Sequence, residues 1–266
     1  MDAMVQTKLG FYYEQLDDID EEYIYKKIAG TVSRYENEVK IDCEPHQVRR
    51  VMKAINFDNP EIFYWFPQKK DYNEEKGVLK LSYTTASADE TKELLEKLRT
   101  KKKEVIAKIK ETKENGVTED PLEEINNLYE YLLENVENAE EELYDNPECT
   151  RSIYDVTGVL LQEGKGRATS LGISLAVNYI CSSLHIPAIL VTGKAKLSNY
   201  DYAENHAWNL IKVDGEYFHV DATAAQGLPK DKKYKYLLLD DEEMRALNEE
   251  RKWSEEVYPK AGTKEE

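Results

Sequence analysis

From Ser170 onward, Leu171, Ile173, Leu175, Ala176, Val177, Ile180 and Leu184 lie nearly all round a helix of ~3.6 residues per turn. A helix apolar on every side has to be buried on every side, and that requirement limits the folds open to this chain more than any other feature. Downstream, Pro187 opens a strand over residues 188–193. Asp214-Gly215 then makes a two-residue turn between strand-like runs at 207–213 and 216–222. A buried helix followed by antiparallel strands defines an α+β domain.

The same region carries residues suited to chemistry. Ser170 stands at the N-terminus of the buried helix, where the helix dipole and the unpaired first N–H groups favour developing negative charge. Gly172 permits close approach of a backbone or a substrate. His206 opens one hairpin strand and Asp221 closes the next, both about seven residues from the turn, so the two can face each other across the pair. An aspartate that accepts from an imidazole N–H fixes its tautomer and supports the imidazolium. Trp208 projects from the same strand face as His206 and can shield the site from water. His219 alternates with Asp221, but the expectation for it is packing rather than catalysis.

The stretch Gly164-Lys165-Gly166-Arg167-Ala168-Thr169-Ser170-Leu171-Gly172-Ile173-Ser174, then Leu184-His185-Ile186-Pro187, Val191-Thr192-Gly193, His206-Ala207-Trp208-Asn209 and Asp221-Ala222-Thr223, resembles the core of the transglutaminase-like superfamily. The resemblance covers about residues 117–240. It implies a papain-like fold and a Cys-His-Asp site acting on protein or peptide amides, as a crosslinking transglutaminase, deamidase or peptidase. Mapped onto this chain, the site is Ser170, His206 and Asp221, with Gly172 and Trp208 lining the cleft. The calcium dependence of the animal enzymes has no support here, and no cofactor or metal is expected. The front half is similar to the helical, aromatic Asp-Asn-Pro-Glu region (Asp58 to Glu61) that precedes this core in some bacterial (Firmicutes) proteins.

Three positions depart from the family pattern. Ser170 stands where the cysteine falls, Ile173 replaces an aromatic residue, and His185 replaces the glycine before Ile-Pro. A thiol can be brought below a pKa of ~7 by a helix end and a histidine, whereas a serine hydroxyl needs its proton removed during attack. Three accounts of the serine stay open. The chain is a cysteine acyl-transfer protein silenced by a Cys→Ser change, a non-catalytic module that binds peptide or cell-wall material, or an enzyme with a working serine.

Residues 1–116 read as a mainly helical domain with a few strands, and residues 117–266 as the transglutaminase-like domain. In the first, short helices lead to a strand over 38–43, a helix opened by Pro45, the aromatic run Ile62 to Phe66 (expected in the core) and a strand over 77–84. A long charged helix over 88–114 carries Leu94, Leu95, Leu98, Val105, Ile106 and Ile109 in one stripe, with Asn115-Gly116 as its stop. Further helices are expected over 121–139 and 152–162, separated by a loop rich in Asp, Glu, Asn and Pro.

The net charge of −17 argues against nucleic-acid partners. Most of the excess lies in front: residues 1–149 carry 21 basic and 35 acidic side chains, and residues 150–266 carry 15 and 18. No apolar run approaches the ~20 residues of a membrane span. Met1 to Gly10 lack signal-peptide character, which predicts a cytoplasmic location, or a secreted or surface one if a leader has been removed. Cys43, Cys149 and Cys181 are widely spaced and form neither a disulfide framework nor a metal pattern with the four histidines. Oligomeric state is not legible.

Overall fold

The computed structural model describes residues 4–16, 19–112, 116–140, 151–197, 203–247 and 250–262. Asn115, Cys149 and the Asp/Glu/Asn/Pro-rich stretch after Glu140 lie outside them. The chain forms two compact units, Met1–Lys97 and Leu98–Glu266.

In the first unit, α1 (Phe11–Glu14) and α2 (Ile19–Ser33) precede β1 (Glu38–Lys40) and α3 (Pro45–Asp58). Pro45 occupies the first turn of α3, where its missing N–H costs nothing, and Gln47 accepts from the Glu44 N–H (3.0 Å). Asp58 at the end of α3 accepts from the N–H groups of Tyr12 (3.1 Å) and Tyr13 (2.8 Å), so it caps α1 from a distance. β2 (Tyr72–Asn73) and β3 (Val78–Lys80) complete an antiparallel sheet in the order β1-β3-β2. Ile62, Phe63, Tyr64 and Trp65 are buried as expected, while Phe66 is exposed. The long helix α4 (Ala88–Lys110) buries Leu95, Leu98, Val105 and Ile109 along its stripe. It stops before the expected end, because Glu111 leaves the helix to bridge Val117.

The second unit takes in α4 from Leu98 onward and continues with α5 (Pro121–Asn135), capped by Asp120, whose carboxylate accepts from the Leu122 N–H (3.0 Å). The expected continuation to residue 139 is not helical. Val136–Asn138 forms β4, paired in parallel with β5 (Gly166–Ala168). A helical apolar face and a short strand look alike over three residues, and the distant partner decides between them. The expected 152–162 helix is also divided. A 3-10 turn (Arg151–Tyr154) is followed by α6 (Val156–Leu160), because Asp155 starts a new helix by accepting from the Thr157 N–H (2.7 Å).

The centre of this unit is α7 (Ser170–Leu184), packed on the antiparallel sheet β6 (Ala188–Ala195), β7 (Glu204–Val213) and β8 (Glu216–Val220). Ile173, Ala176, Val177 and Ile180 of α7 are buried, as the apolar pattern demands. Asn209 fastens helix to sheet, its Nδ2 donating to Ser174 O (3.0 Å) and Asn178 Oδ1 (2.9 Å). Asp214 and Gly215 both have positive φ (52° and 86°), as a tight hairpin between twisted strands requires. The sheet edges are covered. Lys252 exchanges backbone hydrogen bonds with Lys194 on β6, and Leu239 does so with His219 on β8. The chain closes through α8 (Ala222–Ala225), a 3-10 turn (Lys230–Lys232) and α9 (Asp241–Ala246). The molecule is thus an α+β protein with a buried helix on an antiparallel sheet and a largely helical front.

Candidate active site

Ser170 is the first residue of α7 and is buried. The preceding Thr169 donates its N–H to Ile153 O (2.8 Å), which anchors the helix start to the 3-10 turn beneath it. Ser170 Oγ accepts from the Ala207 N–H at 3.4 Å, so the hydroxyl meets β7 one residue beyond His206. The N–H of Ser170 itself, one of the unpaired donors at a helix start, donates to Glu140 Oε1 (3.0 Å).

His206 Nε2 lies 2.8 Å from Asp221 Oδ2, with both side chains buried. The pair comes together differently from simple facing across the hairpin. The ladder sets Asn209 opposite Val220, so its continuation would put Asp221 opposite Trp208, and the contact to His206 is diagonal. β8 ends at Val220, and Asp221 becomes the N-cap of α8, with Oδ1 accepting from the Ala224 N–H (2.9 Å). Its own N–H donates to Tyr236 O (2.9 Å).

A residue unforeseen from the sequence completes this cluster. Arg251, almost wholly buried, places a guanidinium nitrogen 2.8 Å from the same Asp221 Oδ2. Its guanidinium also lies over the rings of Trp208 (5.4 Å) and Tyr236 (5.5 Å). Burial works to raise the Asp221 pKa. His206, Arg251 and the donated hydrogen bonds outweigh it, and the carboxyl is held well below the usual carboxylate range. Arg251 sits in a charged stretch that reads as solvated surface. Only the neighbouring Trp253 hints that this stretch returns to the core.

Trp208 stacks on His206, with centroids 6.0 Å apart and planes inclined by 23°, and is itself buried. Gly172 faces backbone: a β-carbon there would lie 2.6 Å from Ile153 O and 3.1 Å from Asp155 O. His219, expected as a packing residue, is buried and hydrogen-bonded on both ring nitrogens, to Trp208 and Asp241. Cys181 is buried in α7, and burial pushes its thiol up to about 12. Among the described residues, no group of three or more His, Cys, Asp or Glu is placed to hold a metal ion.

A groove of about 620 Å³ is lined by residues that include Val136, Asn138, Lys165, Ala225, Gln226 and Lys230. It shares β4 and α8 with the supports of the site, but Ser170, His206 and Asp221 do not line it. Among the described residues, no helix is long and apolar enough to cross a membrane.

Ser170 at a helix start and the buried His206–Asp221 pair lie against one antiparallel sheet. Residues 108–222, a little under half of the chain, match the transglutaminase-like superfamily. No curated protein matches the chain. Among solved structures, the chain is similar to one described as the crystal structure of a TGase, with a TM-score of 0.43 and 14% identity. That similarity covers 60% of this chain, which spans a little under half (46%) of the TGase chain.

Proposed function

We propose that this protein is laid out for acyl transfer from protein or peptide amides, with Ser170 at the nucleophile position, His206 as general base and Asp221 orienting the imidazole. The observation that carries this reading is the buried His206–Asp221 pair, 2.8 Å apart, with His206 adjoining the residue whose N–H meets Ser170 Oγ. With Nε2 committed to Asp221, Nδ1 is the ring nitrogen left to take the nucleophile's proton. The nucleophile attacks the amide carbon, the amine leaves with the proton returned by His206, and water or a second amine releases the acyl group. A hydroxyl in place of a thiol impairs this sequence, because the oxygen cannot be held as an anion beforehand and a site shaped for sulfur misplaces it.

Substitution Ser170→Cys tests the assignment. Iodoacetamide labelling read by intact mass and peptide mapping is expected to modify the new thiol roughly tenfold or more faster than Cys43, Cys149 or Cys181. Adding His206→Ala should remove that advantage. An unchanged rate in the double variant would sink the triad.

A second reading, a non-catalytic module for peptide or cell-wall ligands, draws on a different observation. Glu140 already occupies the Ser170 N–H that an oxyanion would use, and the hydroxyl is buried. It predicts that the Ser170→Cys protein stays inert to iodoacetamide, while calorimetric titration of the unaltered protein with peptides or cell-wall peptide fragments registers binding. Absence of heat with every such ligand would count against it.

A further inference from the structure

Behind His206 lies a second hydrogen-bonded chain that the triad does not use. Trp208 Nε1 donates to His219 Nδ1 (2.9 Å), and His219 Nε2 lies 2.9 Å from Asp241 Oδ1. An indole nitrogen only donates, so His219 Nδ1 has to be the bare nitrogen and Nε2 carries the proton towards Asp241. His219 is completely buried, and its backbone N–H and carbonyl are held by Leu239 (2.8 and 3.0 Å), so the ring has little freedom to adopt another arrangement. Trp253 closes the remaining side, edge-on to Trp208 (5.9 Å) and to His219 (4.9 Å). At the outer end Asp241 opens α9, within 3.8 Å of Arg245. At the inner end the indole plane stacks on His206.

We propose that Asp241 and His219 are positioning residues: by fixing the Trp208 indole through its N–H, they hold the plane of His206 in line between Asp221 and residue 170. This rests on His206 being the base. Packing alone would place an indole here, but it would not require a bare imidazole nitrogen opposite Nε1 with a carboxylate behind it. A buried indole N–H without an acceptor is destabilised, and this position supplies the acceptor in a single tautomer.

The test separates hydrogen bonding from volume. His219→Phe keeps a ring and removes both hydrogen bonds; His219→Gln keeps an acceptor and a donor. In the full chain, ¹⁵N-resolved spectra should show exchange of the Trp208 indole proton accelerated about tenfold or more in His219→Phe. The His206 ring nitrogens should move from a single Nε2–H tautomer towards averaged values. His219→Gln should restore both signals. In the Ser170→Cys background, alkylation at residue 170 should fall about tenfold with His219→Phe and less than about twofold with His219→Gln. Where His219→Phe does not fold, Asp241→Ala against Asp241→Asn makes the same comparison from the partly exposed end of the chain. Unaltered His206 signals in a folded His219→Phe or Asp241→Ala protein would overturn the proposal. A Ser170→Cys thiol that never reacts, alongside His206 signals that respond as expected, would instead fault the acyl-transfer reading and leave the positioning chain standing.

Discussion

His185 ends α7 with φ 60° and ψ 27°, and its N–H donates to Cys181 O. This is the left-handed cap that glycine fills without steric cost and a β-branched or bulky side chain resists. The family glycine before Ile-Pro therefore has a conformational reason, and this chain meets the same geometry with a histidine. His185→Gly is expected to raise stability by about 1 kcal/mol, measured as the shift in a urea or thermal unfolding midpoint. No change would mean that the ring regains the backbone cost through contacts of its own. At this scale much was legible. Ser170, His206 and Asp221 are candidates by type, spacing and family resemblance; the structure pairs His206 with Asp221 and sets Ser170 Oγ against the Ala207 N–H, next in the chain to His206. Arg251 was not legible, since nothing in its neighbours announces a buried ion pair.

Helix boundaries show how local signals compete. Asp214-Gly215 specified its hairpin because a turn with two positive φ values admits few residue pairs. Asp155 was missed as a helix start. Its carboxylate accepts from both the N–H and the hydroxyl of Thr157 (2.7 and 2.6 Å), which resets the chain between the 3-10 turn and α6. Burial raises this carboxyl to about 7 against those two hydrogen bonds. A carboxyl raised on folding binds more protons folded than unfolded between about pH 4 and 7, so the stability it contributes is lost as pH rises through that window. Asp155→Asn keeps an accepting oxygen and removes the titration. Its unfolding midpoint should depend less on pH between about 4 and 7 than that of the unaltered protein. Parallel curves would show that Asp155 titrates normally.

Across the whole molecule, the site depends on segments far apart in sequence. Residue 140 reaches the start of α7, and the bridge between Lys194 and Lys252 brings Arg251 against an aspartate thirty residues earlier. Arg251→Met would leave Asp221 buried with His206 as its one ionic partner among the described residues, an expected loss of about 3–5 kcal/mol in chemical denaturation. The acid limb should move as well. With its folded pKa depressed, Asp221 contributes fully above about pH 4, and that contribution is lost as pH falls through the lowered value. Without Arg251 the loss should begin at higher pH. An acid midpoint identical to that of the unaltered protein would remove Arg251 from the electrostatics of the site. By itself, the sequence determined the buried helix and the hairpin, because each rests on a pattern confined to a few neighbouring positions, and it nominated Ser170, His206 and Asp221 as candidates. Tertiary structure alone decided that Val136–Asn138 is a strand, that Asp221 caps a helix while it holds His206, and that Arg251 and His219 stand behind the site. Those outcomes come from partners distant in the chain, whose pairing leaves no local periodicity to read.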